Sequence, residues 1–295
     1  MELAKLQSEL AALQADSTLL RETKLYAREK ALDYIGFIGE IAAMHKGDAG
    51  LAGLYAQALG LQARLTEINA QLFTRLRAKI QAGAYTRQAL RQEFQLFTAY
   101  APIAQGQAHI GYDGLDSLVS GLLEIEPPPQ ATQTLGPEMV HYEPTPARAI
   151  LDLIDHVDFA PTDLFYDLGS GLGYVAMLVN LLTGVQTKGV ELEPAFCAYA
   201  QSTARRFGLT NIEFINADAR QADYRDGTVF YLFTPFRGAL LQAVLAKLAN
   251  EARMRPIKIC TYGPCTLAVA QQPWLRSLDA NANHEFKLAI FEGRP

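Results

Sequence analysis

The chain has 295 residues, of which 49% are hydrophobic and 19% charged, and a net charge of -5. That length allows one large domain or two modest ones, each with its own core. The charge excludes a protein coated in basic surface for nucleic acid, and no uncharged apolar run reaches the roughly 18–20 residues a bilayer span needs.

The opening Met-Glu-Leu-Ala-Lys-Leu-Gln lacks a basic region followed by an apolar stretch, so no signal peptide is expected. From Met1 to about Tyr100 the chain is rich in Ala, Leu and Gln and has no proline. Leu3, Leu6, Leu10, Leu13 and Leu20 follow three-four spacing, which places them on one helical face. After an interruption at Ser17 the stripe resumes at Ala27, Ala31, Tyr34 and Ile38. A second stripe runs through Leu54, Leu61, Leu65, Ile68, Leu72, Leu76 and Ile80, with a break at Gly47–Gly50 and an end at Gly83. A third helix over Thr86–Ala99 completes a small bundle. The first stripe could instead pair two chains as a short coiled coil, making a homodimer.

Residues 101–150 carry Arg148 alone against Asp113, Asp116, Glu124, Glu126, Glu138 and Glu143. This reads as a solvated acidic connector, or as a surface that attracts a basic partner. Pro127-Pro-Pro129 predicts a stiff, extended link. The division expected is a helical domain with its connector over 1–126 and a second domain over 127–295.

The segment His141-Tyr-Glu-Pro-Thr-Pro146 leads into an amphipathic helix, Ala147–His156. Strands are then predicted at Leu164–Leu168, Gln186–Glu191, Ile212–Asn216, Thr228–Phe233 and Ile257–Tyr262. Helices are predicted at Gly173–Leu182, Ala195–Phe207 and Gly238–Leu248. Trp274–Asp279 and Glu285–Phe291 suggest a closing antiparallel hairpin. Such alternation predicts an α/β fold, a mostly parallel sheet covered on both faces, with ligands bound beyond the carboxyl ends of its strands.

The strongest local signal is Asp167-Leu-Gly-Ser-Gly-Leu-Gly173, a strand running through a glycine turn into a helix. A carboxylate just before that turn would repel a pyrophosphate but suits the ammonium and sulfonium centres of S-adenosylmethionine. Glu191 ends the next strand, 18 positions after Gly173, where it can accept from ribose hydroxyls. Asp218, followed by Ala219, comes after the third strand and can accept from an adenine amino group. The fourth strand ends in Thr234-Pro-Phe236.

These motifs resemble the class I S-adenosylmethionine-dependent methyltransferases over about residues 140–295. The resemblance implies a seven-stranded Rossmann-like sheet with the last strand antiparallel. It also implies Gly169, Ser170 and Gly171, with Gly173 in the same turn, along the methionine part of the cofactor, Asp167 at its amino group, Glu191 at the ribose, and Asp218 and Ala219 at the adenine. Thr162-Asp-Leu-Phe-Tyr-Asp-Leu-Gly-Ser-Gly-Leu-Gly, preceded by His141-Tyr-Glu-Pro-Thr, further resembles the non-SET, Disruptor-of-telomeric-silencing type histone lysine methyltransferases. That implies a loop closing over the cofactor through Tyr142, Glu143 and Thr145, although Glu143 directly follows Tyr142 here. The same residues also read as a proline-fixed entry to a helix.

In amine methyltransferases of class I, an Asn or Asp with Pro-Pro and an aromatic often ends the fourth strand. Thr234, Pro235 and Phe236 take the corresponding catalytic positions, with Thr in the polar place and one proline absent, which weakens any inference of lysine as acceptor. The acceptor expected is a basic protein or a small molecule, and nucleic acid is disfavoured by charge. Two other readings stand beside a methyltransferase: an NAD(P)-dependent oxidoreductase, and a partner-binding protein that keeps the cofactor site without catalysis. Cys197, Cys260 and Cys265 make no disulfide framework, and Cys260 and Cys265 do not have zinc spacing; they read as free thiols of a cytoplasmic protein. The five histidines show no ligand spacing, so no metal is expected.

Overall fold

A computed structural model of the chain describes residues 3–97, 112–124, 129–280 and 282–293. The chain divides into two compact units, the first comprising residues 3–97 and 112–124 and the second 129–280 and 282–293 among those described.

The first unit is all helical: α1 (Leu3–Ala15), α2 (Leu25–Met44), α3 (Ala49–Gln81), α4 (Arg87–Gln95) and α5 (Gly114–Leu123). The interruption expected at Ser17 is real. Asp16 accepts from the Thr18 N–H and starts two short 3-10 turns that join α1 to α2. Asp48 caps α3 by accepting from Gly50 and Leu51, and Gly83 follows it in the left-handed region. Leu6 and Leu10 are buried against Ile35, Ile38, Leu51, Leu54 and Ala58 of this same unit. The stripe that could have paired two chains is therefore covered from within.

Two carboxylates of the acidic stretch are not solvated. Asp113 and Asp116 form a buried capping box at the start of α5, a helix with no counterpart among the predicted elements, and Glu124 pairs with Arg77. The expected end of the third helix at Ala99 and the extended link at Pro127 and Pro128 fall outside the described residues.

One buried cation organises the turns between α1 and α2. Arg28 is fully buried; its guanidinium donates to Asn69 Oδ1 at 2.6 Å, to the Leu19 carbonyl at 3.1 Å, to the Glu22 carbonyl at 2.9 Å, and to the Arg21 carbonyl. Five donors in a rigid fork satisfy carbonyls that no helix can reach.

The second unit has the expected α/β architecture. Helix α6 (Ala147–His156) precedes β1 (Leu164–Leu168), α7 (Tyr174–Thr183), β2 (Gln186–Glu191), α8 (Pro194–Arg206), β3 (Ile212–Asn216), β4 (Val229–Leu232), α9 (Gly238–Ala252), β5 (Ile257–Thr261), α10 (Cys265–Ala270), β6 (Leu275–Ser277) and β7 (Ala289–Gly293). The seven strands lie in the order β3-β2-β1-β4-β5-β7-β6, with β7 antiparallel to both its neighbours and the other pairs parallel. All five residues of β1 and all four of β4 are buried, as central strands of a covered sheet must be. Helix α10 was not anticipated, because six residues carry too little periodicity to register. The second hairpin arm begins later than predicted: the Asp279 carboxylate accepts from the Ile290 N–H and fixes where pairing starts. No described helix is long and apolar enough to cross a membrane.

Replacing Arg28 with Met leaves buried carbonyls and the Asn69 side chain without their donor. Unsatisfied buried groups cost about 1–3 kcal/mol each, so we expect Arg28→Met to lower stability by roughly 3 kcal/mol or more, read from urea unfolding followed by circular dichroism.

Candidate functional site

Register places the acidic residues together. Asp167 on β1 lies beside Gly189 of β2 and Tyr231 of β4, and Glu191 at the end of β2 lies beside Asn216 of β3. Parallel strands end on the same side, so Asp167, Glu191 and Asp218 all reach one cavity of about 640 Å³ at the carboxyl ends of the sheet. That size suits a nucleoside-sized ligand.

Asp167 is 3% exposed. Burial, and next the neighbouring Glu191, push its carboxyl up to about 8 against the opposing N–H of Ala176 in α7. Among the described residues its Oδ2 has no partner, and neither have the buried Ser170 Oγ and Tyr142 hydroxyl, all three from residues that line the cavity. A buried carboxylate oxygen with no donor is costly and calls for a ligand that brings one. These orphans fit the ammonium of an amino acid, and so they fit S-adenosylmethionine.

The glycine turn is built for close approach. Gly169 and Gly171 both have positive φ; a Cβ at Gly169 would lie 2.2 Å from Pro235 Cβ, and one at Gly171 2.4 Å from the Tyr142 ring. The turn's amides are already engaged. Gly169 and Ser170 donate to the Val190 carbonyl, Gly171 to Glu191 Oε2 at 2.7 Å, and Gly173 to the Ser170 carbonyl. A dinucleotide turn must point such amides at a pyrophosphate. This one does not, and two carboxylates stand beside it, which argues against the oxidoreductase reading.

Glu191 is held by the N–H groups of Gly171 and Glu193. Burial raises its carboxyl against those donors. Asp218 forms a fork with the Arg220 guanidinium, which holds its carboxyl below the ordinary range. A carboxylate has about four acceptor sites, so the fork leaves room for a further donor. Ala219 lines the cavity, and its carbonyl receives the Tyr224 hydroxyl.

The segment 129–145 covers one side of the cavity and brings Tyr142, Glu143 and Thr145 to it. The Tyr142 ring meets Phe196 edge-on at 5.6 Å, and Thr145 is buried beside Tyr231. The helix-entry reading also holds, since Pro146 caps α6.

At the β4 end the cavity is walled by Phe233, Thr234, Pro235, Phe236, Pro264 and Phe286. The Thr234 hydroxyl is turned to the neighbouring turn, within 3.5 Å of the Tyr262 carbonyl and accepting from the Cys265 N–H at 3.3 Å. Thr234 has φ 44, a left-handed conformation that costs a β-branched residue about 1–3 kcal/mol. Phe236 is 5% exposed and part of the core, with its backbone bridged to Met139. So the polar side chain expected to face the acceptor staples two turns instead, and the aromatic is mainly core.

Two carboxylates that hold the walls of the site went unread in the sequence. Glu193 accepts from Thr132 and Gln133, and Glu138 accepts from Ala239 and Leu240 at the start of α9. Glu193 before Pro194 signals a helix start, but partners about 60 positions away leave no local trace.

Residues 138–224 match the family model described as "Histone methylation protein DOT1", which covers less than half of the chain. No curated protein matches the chain. Among solved structures, an RNA methyltransferase from Salinibacter ruber in complex with S-adenosyl-L-homocysteine is similar over 51% of this chain and 92% of its own, at 21% identity and TM-score 0.40. A geranyl diphosphate C-methyltransferase from Streptomyces coelicolor is similar over 43% of this chain and 47% of its own, at 18% identity and TM-score 0.34. The matched segment carries residues 138–145 of the covering segment, the glycine turn, and Asp167, Glu191 and Asp218. The second unit is an S-adenosylmethionine-dependent methyltransferase domain that is similar over residues 138–224 to the DOT1 methylation proteins, and S-adenosylmethionine is its cofactor.

A carboxyl raised in the folded protein stabilises it below its ordinary value of 3.8, and that contribution is lost as pH rises towards about 8. Stability of the ligand-free protein should therefore fall over that window, and Asp167→Asn should flatten the fall. A cationic ligand selects the ionised carboxylate. Calorimetry in buffers of different ionisation enthalpy should then show proton release on S-adenosylmethionine binding near pH 7, absent in Asp167→Asn.

Proposed function

We propose that this methyltransferase acts on an amine-bearing acceptor, with a basic protein favoured over a small molecule and both over nucleic acid. The observation that carries the cofactor part of this reading is the buried Asp167 carboxylate with one oxygen unpartnered, beside Glu191. The acceptor part is supported by the net charge of -5 and by the carboxylates around the cavity. We place the protein in the cytoplasm, in keeping with three buried free cysteines.

Bound S-adenosylmethionine supplies a methyl group already activated on a sulfonium, so no protein nucleophile is needed. The chain's share is alignment and exclusion of water, worth up to roughly 7–11 kcal/mol in favourable cases. Asp167 receives the ammonium, with Gly169, Ser170 and Gly171 allowing close approach. Glu191 accepts from the ribose hydroxyls, and Asp218 with Ala219 borders the adenine. Tyr142, Glu143 and Thr145 cover the cofactor. Thr234, Pro235 and Phe236 shape the acceptor end. Because the Thr234 hydroxyl is engaged elsewhere, we assign reception of the acceptor N–H to backbone carbonyls of this turn.

Glu191→Ala should weaken S-adenosylmethionine binding by about 100-fold or more in calorimetric titration, since two hydrogen bonds to a charged group are worth about 3 kcal/mol at the low end. Methyl-labelled cofactor added with the protein to a lysate should mark material that is sensitive to protease and resistant to nuclease. Label in nuclease-sensitive material would reject the acceptor assignment, and no transfer at all would favour the non-catalytic reading.

A further inference from the structure

We infer that Glu193 is a positioning residue that fastens the strap 129–145 over the cofactor cavity and joins it to Glu191 at the tip of β2. The identity of the cavity's occupant rests on the functional reading above; the fastening does not.

The strap forms no helix or strand, and among the described residues its one ladder contact is the Met139–Phe236 bridge. An irregular segment still has to place its backbone donors and acceptors. Much of that falls to two carboxylates. From the body of the unit, Glu193 Oε2 accepts from the N–H groups of Thr132 at 2.9 Å and Gln133 at 2.8 Å, while Oε1 accepts from the Thr132 hydroxyl at 2.7 Å. From the strap, Glu138 accepts from Ala239 and Leu240 at 2.8 and 2.9 Å, and its carbonyl takes the Arg237 N–H.

Glu193 differs from Glu138 in what stands behind it. Its own N–H donates to Glu191 Oε1 at 2.8 Å, so a single residue touches both the strap and the carboxylate assigned to the ribose. It also caps α8 through the Ala195 N–H at 3.0 Å. Capping alone does not explain a glutamate, since Asp and Ser are the preferred caps and are shorter. The extra length is what reaches Thr132 and Gln133. Burial pushes the Glu193 carboxyl up, but the Thr132 hydroxyl and the N–H groups of Ala195, Gln133 and Thr132 prevail and hold it at about 2. The fastening therefore stays charged at any pH at which the protein would work.

Glu193→Asp separates the two duties, because it keeps a good cap for α8 and gives up reach to the strap. In the full chain, hydrogen exchange of the Thr132 and Gln133 amides should accelerate about tenfold or more, with the melting temperature near that of wild type. Dissociation of S-adenosylhomocysteine, followed by competition in stopped flow, should accelerate about tenfold as well. Glu193→Gln, which keeps the reach but only one full acceptor oxygen, should fall between. Should Glu193→Asp not fold, Thr132→Val removes one strap bond without touching α8 and should shift both readouts in the same direction by a smaller factor. Unchanged exchange at Thr132 and Gln133 would overturn the fastening. Faster exchange with an off-rate within about twofold of wild type would overturn the link to the cofactor. If wild type does not bind S-adenosylhomocysteine, the functional reading fails, and the exchange result alone judges the fastening.

Discussion

The site depends on a carboxyl that the protein makes costly to ionise and does not itself pair with a cation. Asp167 sits on β1, an interior strand of the sheet, buried, with Glu191 nearby and one N–H of α7 as its opposing donor. Two carboxylates in low-dielectric surroundings raise each other's cost of ionisation, and one of them keeps an oxygen without a partner. A fold tolerates this where a ligand supplies the missing positive charge. Perturbed groups of this kind gather at functional sites, and here the perturbation has both a geometric and a chemical explanation.

The surrounding structure follows from serving that charge. The glycine turn turns its amides inward, onto the Val190 carbonyl and the Glu191 carboxylate, so it offers close approach without offering an anion hole. Gly169 and Gly171 are kept bare by Pro235 and Tyr142, which press on them from the acceptor end and from the strap. Glu191 is oriented by Gly171 and Glu193, and Glu193 in turn holds the strap. Strand tip, turn and strap thus form one connected set of hydrogen bonds around the cavity, with strain at Thr234 where the fourth strand meets the turn after β5.

Much of this was legible in the sequence because it is local. The strand, turn and helix around Asp167 are contiguous, and the spacing of Glu191 and Asp218 follows from the lengths of two helices and two strands. What was misread is what depends on distant partners. The acidic stretch 101–150 reads as solvated surface by composition, yet Asp113 and Asp116 are buried in a helix cap and Glu138 caps α9 across about 100 positions. The side chain of Thr234 was expected to face the acceptor; only the geometry of Gly263 and Cys265 shows it facing a second turn. The stripe of α1 has the spacing of a coiled coil, and only tertiary packing reveals that its partners are in its own unit.

The central claim is that Asp167 is matched to a positive centre on a nucleoside ligand. It is tested most directly by titrating the protein with S-adenosylhomocysteine and with a deaminated counterpart that keeps the nucleoside and thioether but lacks the ammonium. Wild type should prefer the ammonium-bearing ligand by about tenfold or more, and Asp167→Asn should lose most of that preference. Equal affinity for the two ligands in wild type, or a preference that survives in Asp167→Asn, would contradict the account.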